Sequence, residues 1–350
     1  LGAGNQTFWF SANLANNRGG AIVNEGLMSL NQAVFNRNRS LGDGGAIYNT
    51  GRLALTDFRF QNNVVGTTGR GGAIYNSGEL SLTAADIASE SYFGDNRTSG
   101  GLNSIFMESG SSQAVLNLIT ENNAALWMYD PMAGQAGAAG ILINKDGAGV
   151  WGLSGNNNFL SSGGGTVMNV NEGSLLLSGG GARNSFRSDQ ANIHLAGSSS
   201  QFNLGAATLV VGGDNQILSA GQVNLNAGAV ITVEGGRPAS LTLNQAYLNG
   251  PVEFDIGTGE RLALEAVLTG AGDLDKTGDG SLVLARTGHN FGDLTLTGGT
   301  LGLVASESEA ALTVNSVTFN TGTTLDISGF SGEEFGQRVT LIVSNDDILF

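Results

Sequence analysis

Residues 35–47 read Phe35-Asn-Arg-Asn38-Arg-Ser-Leu-Gly-Asp-Gly44-Gly45-Ala46-Ile47, and this stretch decides the fold because it recurs. Phe-x-x-Asn stands at Phe10–Asn13, Phe35–Asn38, Phe60–Asn63 and Phe93–Asn96. Gly-Gly-Ala-Ile follows at 19–22, 44–47 and 71–74, with a degraded fourth copy expected at Gly100-Gly101-Leu102-Asn103. On that alignment the Gly pairs begin 25, 27 and 29 residues apart. A period in the twenties marks stacked repeats, none of which can bury its own apolar face alone.

Between these words run short alternating segments such as Arg52-Leu-Ala-Leu-Thr56 and Glu79-Leu-Ser-Leu-Thr83, with leucines on one face and polar residues on the other. The grammar continues in Ser174-Leu-Leu-Leu177, Gln222-Val-Asn-Leu225 and Ala229-Val-Ile-Thr-Val233. No stretch sustains a helical period. Strands of 4–6 residues separated by turns suit a sandwich, a barrel or a solenoid. The fixed longer period selects an all-β parallel β-helix, an elongated single domain of some 14–17 coils of about 20–25 residues each. In it Phe10, Phe35, Phe60 and Phe93 would stack inside. Asn13, Asn38, Asn63 and Asn96 would bond from coil to coil, and only Gly would tolerate the corner before the Ile row. The chain divides into regular coils over 1–103, an irregular stretch over 104–168, and further coils over 169–350. The middle stretch, with Trp127-Met-Tyr-Asp-Pro131, reads as a loop projecting from the rod or a locally irregular coil.

Composition agrees. Glycine supplies 56 of 350 residues and proline only three, while hydrophobic residues make up 41% and charged ones 13%, the balance of an ordered, turn-dense chain. Cysteine is absent, which excludes disulfides, thiolate metal sites and cysteine nucleophiles. The net charge of −15 is uneven: residues 1–100 hold seven Arg and seven acids, the remainder eight basic and 23 acidic groups. Such an acidic body argues against nucleic acid as a partner. No run of apolar residues is long enough for a membrane-spanning helix. With Leu1 in place of Met and no signal peptide, the chain is expected to be a mature or excised piece.

The alternating Gly-Gly-Ala-Ile and Phe-x-x-Asn words over residues 8–103 resemble the repeats of chlamydial polymorphic outer membrane proteins and related bacterial autotransporters. A second stretch, from Leu268-Thr-Gly-Ala-Gly-Asp-Leu-Asp-Lys-Thr-Gly to Thr300-Leu-Gly-Leu303, is similar to the passenger-associated transport repeat of autotransporters. Together they imply a right-handed parallel β-helix, exported through the periplasm and displayed on the bacterial outer membrane. The family's own C-terminal membrane barrel would lie outside these residues. The resemblance implies an adhesin, with host glycans or extracellular-matrix proteins as partners. Homotypic self-association, driving aggregation or biofilm formation, is the alternative. Fold analogy alone does not choose between them.

Catalytic constellations are sparse. Asp273-x-Asp275-x-Thr277-Gly278-Asp279 looks like a cation loop, but Leu284 stands at the position of the bidentate acid, so it reads as a solvated turn. His194 and His289 stand far apart without partner motifs, and no nucleophile elbow or phosphate loop occurs. A polysaccharide-cleaving enzyme is therefore the minor reading, and no cofactor is expected. Arg18, Asp43 and Arg70 hold one position before successive Gly pairs and would form a surface ion-pair ladder. Arg37, Arg39, Arg52 and Arg59 are the candidate glycan-binding residues, since a guanidinium fork suits sulfate or carboxylate.

Overall fold

Glu79–Ala84 shows why the chain forms strands: Leu80, Leu82 and Ala84 are buried, and Glu79, Ser81 and Thr83 face outward. A computed structural model describes residues 6–86, 90–177, 191–213, 215–234, 238–304, 309–328, 340–346 and 348–349. Strands of this kind pair in parallel with their equivalents one coil away, giving sheets of 25 and 13 strands and a smaller sheet of five. The largest sheet is two faces of the rod. They are joined because the ten-residue strands Leu27–Asn36 and Arg52–Gln61 run through both, bending at Gln32 and Asp57, where φ is 55° and 49°. Further along, the same two faces are built from separate strands: Glu79–Ala84 and Ser91–Gly94 both pair with Arg52–Gln61. The sequence-derived parallel β-helix is the fold. A sandwich is excluded by the parallel pairing that runs from coil to coil.

The core is continuous along the axis. Phe10, Phe35, Phe60 and Phe93 stack with ring centroids 4.7, 4.5 and 4.8 Å apart, close to the strand spacing. Beside them Asn13, Asn38, Asn63 and Asn96 form the expected ladder. Each Nδ2 donates to the next Oδ1 at 2.8, 2.9 and 2.8 Å. The same oxygens accept the preceding coil's backbone N–H at 3.0–3.1 Å. The second amide hydrogen goes to the carbonyl of Phe10, Phe35 or Phe60. The residue before each asparagine (Ala12, Arg37, Asn62 and Asp95) has φ between 55° and 60°, so the left-handed corner falls on side-chain-bearing residues as well as on glycine.

The two glycines of each pair do different work. Gly19, Gly44 and Gly71 have φ of 61°, 71° and 70°. Gly45 has no such constraint, but a Cβ there would strike the carbonyl of Gly72 in the next coil. The fourth copy is shifted from its expected place. Ile105 pairs with Ile74, and the Ala73 N–H donates to Ser104 O at 3.0 Å. The structural equivalent is therefore Leu102-Asn103-Ser104-Ile105. Gly100 and Gly101 belong instead to a turn that folds Arg97–Thr98 antiparallel against Gly101–Leu102.

Residues 104–168 also differ from expectation. They do not project as a loop but contribute regular strands, among them Ala114–Thr120, Ala125–Met128, Ile141–Asp146 and Thr166–Val170. Trp127 sits in register with Tyr92 before it and Gly152 after it. Within Trp127-Met-Tyr-Asp130 the side chains alternate outward and inward; the mix of aromatic, charged and small residues hid that period. Here Met128 succeeds Phe93 in the stack, and Asp130 succeeds Asn96 in the ladder. Stacked ladder residues are 25 apart at Asn38–Asn63 but 33 and 34 apart in the next two coils. Among the described residues the third face has 13 strands.

Candidate functional site

Gly-Gly-Ala-Ile is followed twice by Tyr-Asn, and that continuation builds the most distinctive surface of the rod. Ile47 and Ile74 point inward, as do Asn24, Asn49 and Asn76, which form a second buried ladder with amide bonds of 2.7 and 2.7 Å. The residue between must face out. Val23, Tyr48, Tyr75 and Phe106 are therefore one row on the outer side of the sheet, with Tyr75 covered by its neighbours to 4% exposure. Tyr48 and Tyr75 stack at 4.8 Å, and Tyr75 and Phe106 at 6.2 Å, with nearly parallel rings. Arg18 lies 4.5 Å from the Tyr48 centroid, and Arg70 lies 5.1 and 5.0 Å from those of Tyr75 and Phe106.

Charge on this row is internally matched. Arg70 reaches Asp43 through Nε at 3.2 Å and Nη2 at 2.9 Å, and Glu108 through Nη1 at 2.6 Å. These partners, Asp43 first, push its pKa well above the ordinary arginine value, although burial opposes them. The Tyr75 hydroxyl donates to Glu108; burial first, and this bond second, raise the phenol above its usual range. The charge ladder expected from Arg18, Asp43 and Arg70 forms only in part: Arg70 pairs with Asp43, whereas Arg18 pairs with Glu25 at 2.8 Å. Two grooves of about 430 and 440 Å³ flank the row and meet at Thr68 and Arg70. A third, of about 450 Å³, runs past Tyr75 and Glu108 on the other side.

The four candidate arginines lie elsewhere. Arg37, Arg39, Arg52 and Arg59 are all exposed. Arg37 occupies a left-handed corner, and Arg39 the small five-stranded sheet. Arg52 is paired with Glu79 at 3.1 Å, and Arg59 Nε donates to the Glu90 carbonyl at 3.1 Å. Arg52 and Arg59 stand seven residues apart on one strand, on opposite sides of its bend at Asp57. Arg37 and Arg39 are two residues apart in the chain, whereas Arg52 and Arg59 lie on the strand Arg52–Gln61.

Titratable groups in the interior serve the coils. Asp130 is 1% exposed; its carboxylate accepts Asp95 N–H, Asn96 N–H and Asn96 Nδ2 at 3.0, 2.7 and 2.9 Å. Burial pushes it up to about 6 against those bonds. His289 is fully buried, accepting the Leu268 N–H at Nδ1 (3.1 Å) and placing Nε2 2.9 Å from the Arg286 carbonyl. Nε2 must then carry the proton, and burial lowers the imidazole to about 4. Lys145 and Lys276 are fully buried and each caps three carbonyl oxygens, Lys145 those of Asp146, Gly147 and Glu172. Burial lowers Lys145 to about 8. Asp273, Asp275 and Asp279 each accept from a different neighbour (Asp293 N–H, Thr297 and Thr258) rather than converging. No group of three acids or histidines could hold a metal among the described residues.

Comparison with known proteins gives these repeats a context. Residues 32–50 and 57–77 match the Chlamydia polymorphic membrane protein repeat, and they coincide with the second and third copies of the stacked Phe, Asn and Tyr. In these two stretches the chain resembles the polymorphic membrane protein repeat. Adhesin BmaC autotransporter of Brucella suis biovar 1 (strain 1330) is 30% identical over 131 residues. That alignment covers 36% of the chain and 4% of the Brucella protein, so the chain spans a small part of this relative. No solved structure matches the chain. The outward Tyr-Phe row was missed by sequence reasoning, though its signal was present in the repeated Ile-Tyr-Asn at 47–49 and 74–76.

Proposed function

We propose that the chain belongs to the surface-displayed passenger of an outer-membrane autotransporter and works without catalysis. Its role is attachment to host glycans or extracellular-matrix proteins. The observation that carries this is the Phe-x-x-Asn/Gly-Gly-Ala-Ile solenoid itself, matched to polymorphic membrane protein repeats and similar over 131 residues to a named adhesin. A rod with rigid coils presents the same side-chain rows many times, which favours weak multivalent contact along its length. Arg37 and Arg39, both exposed and two residues apart across a left-handed corner, are the arginines this reading assigns to an anionic glycan. Asp130, the buried carboxylate among the described residues, has its oxygens engaged in the ladder, which supports a structural rather than a hydrolytic role.

Self-association is the second reading. One observation favours it: Asn117, Asn144, Asn169 and Asn203 form a half-exposed amide row that ends at the buried Asn224, with bonds of 2.7–3.0 Å. Two rods could lie along such a flat polar face. Binding of the purified chain to immobilised matrix proteins and sulfated glycans, at low and physiological salt, separates the readings. Attachment predicts saturable binding, salt-sensitive for sulfated glycans and reduced by replacing Arg37 and Arg39 together. No binding, with concentration-dependent dimers in sedimentation, would favour self-association instead.

A further inference from the structure

Gly94 stands where an outward side chain would be, between two tyrosines. It follows Tyr92 by two residues on the strand Ser91–Gly94, and Tyr129 comes directly after the paired strand Ala125–Met128 of the next coil. Its φ is not positive, and a Cβ there would meet only ring carbons, Tyr129 Cδ2 at 3.6 Å and Tyr92 Cδ2 and Cε2 at 3.7 Å. The missing side chain leaves a hollow of about 270 Å³. Its walls are two half-buried rings with centroids 6.0 Å apart and planes inclined at 57°.

The rest of the lining is Gln61 and three carboxylates, with no basic side chain among it. Glu90 and Asp95 are half-buried and flank the strand Ser91–Gly94 at its two ends. Asp130 is buried and out of a ligand's reach. Its carboxylate accepts from amides, so its charge adds to the local field without offering a contact. Arg59 donates to the Glu90 carbonyl and Arg97 lies 3.7 Å from Asp95, but neither lines the hollow. Aromatic faces beside carboxylates attract a cation and repel an anion. A hollow this small takes one head group, not a run of sugar rings. Its acceptors are spread, with a carboxylate at each end of the strand and the Gln61 amide on the preceding coil. The three rotatable donors of a compact ammonium reach separated acceptors; a guanidinium fork suits one carboxylate, and a quaternary ammonium has no hydrogen to donate. We propose that this hollow takes the side-chain ammonium of a lysine on a partner protein, held between Tyr92 and Tyr129 and donating to Glu90 and Asp95.

A lysine-bearing matrix protein would give the attachment reading its partner, and the assignment rests on that reading for its biological use. The site is separate from Arg37 and Arg39. In the test, the full chain is passed at physiological salt over surfaces that display a glycine peptide with one central lysine, the same peptide with Nε-acetyl-lysine, or choline. Gly94→Leu and Tyr129→Leu are run beside wild type, with circular dichroism to verify folding. Wild type should bind the lysine surface, and acetylation or either variant should weaken that binding about tenfold or more. A chain of net charge −15 also adsorbs to a cationic surface without any site. Gly94→Leu separates the two, because it fills the hollow and alters no charge. Tyr129→Leu keeps the test open if Gly94→Leu fails to fold. Lysine binding that the folded variants retain, no lysine binding, or choline bound as tightly as lysine overturns the proposal. Beads coated with the wild-type chain would be applied to host cells in parallel. Attachment without lysine binding sinks the hollow alone; lysine binding without bead attachment sinks the attachment reading alone.

Discussion

Gly45 and Gly26 carry the same residue type in different physical situations. A Cβ on Gly45 would collide with the Gly72 carbonyl of the next coil, whereas one on Gly26 would meet nothing within 4 Å. Neither has a positive φ, so backbone conformation does not separate them. Gly45→Ala should therefore destabilise by about 2–4 kcal/mol through overpacking against backbone, while Gly26→Ala should stay within about 0.5 kcal/mol of wild type. Urea unfolding of the two variants decides it; equal stabilities would mean that the coils are not packed at this distance. The need for glycine at such corners was legible in the sequence, but not which member of the pair met which constraint. Backbone angle and inter-coil contact are both three-dimensional, and Gly-Gly spells them identically.

At the scale of the ladder, the Asn and Phe rows were legible because identical residues recur at a near-constant spacing. Legibility ended where the identity changed. Met128 and Asp130 continue the rows of Phe93 and Asn96 with different side chains after a longer coil, so 104–168 reads as irregular although it is regular in space. The same loss of identity displaced the fourth Gly-Gly copy by two residues. Asn63 joins three coils: it accepts from Asn38, donates to Asn96 and donates to the Phe35 carbonyl. Asn63→Ala leaves buried groups unmatched on both sides and should cost about 3 kcal/mol or more. Hydrogen exchange should then quicken at the Asn38 amide, which donates to Asn63 Oδ1. A loss under about 0.5 kcal/mol would show that the ladder contributes little.

Over the whole rod, two buried groups titrate in opposite senses. His289 is lowered from 6.5 to about 4, so its contribution is full above pH 6.5 and is lost as pH falls toward 4. Asp130 is raised from 3.8 to about 6, so its contribution is full below pH 3.8 and is lost as pH rises through 6. Each shift amounts to about 3 kcal/mol, and in wild type the two largely offset between pH 4 and 6. Thermal unfolding across that range should show His289→Gln losing stability as pH rises and Asp130→Asn gaining it, each relative to wild type. Identical pH profiles for all three proteins would refute the assignment. Nothing in the sequence around either residue announced its burial, because the coil, not the local motif, removes it from water. The arginines drew notice as charges, while the neutral Tyr-Phe row and its groove did not, since an outward aromatic row becomes visible only once the register is known. The central claim, a solenoid passenger that attaches to host surfaces, is tested most directly by beads coated with the folded chain and applied to cultured host cells. The account predicts saturable attachment that soluble chain competes away and heat-unfolded chain does not support. Attachment no greater than that of albumin-coated beads would contradict it.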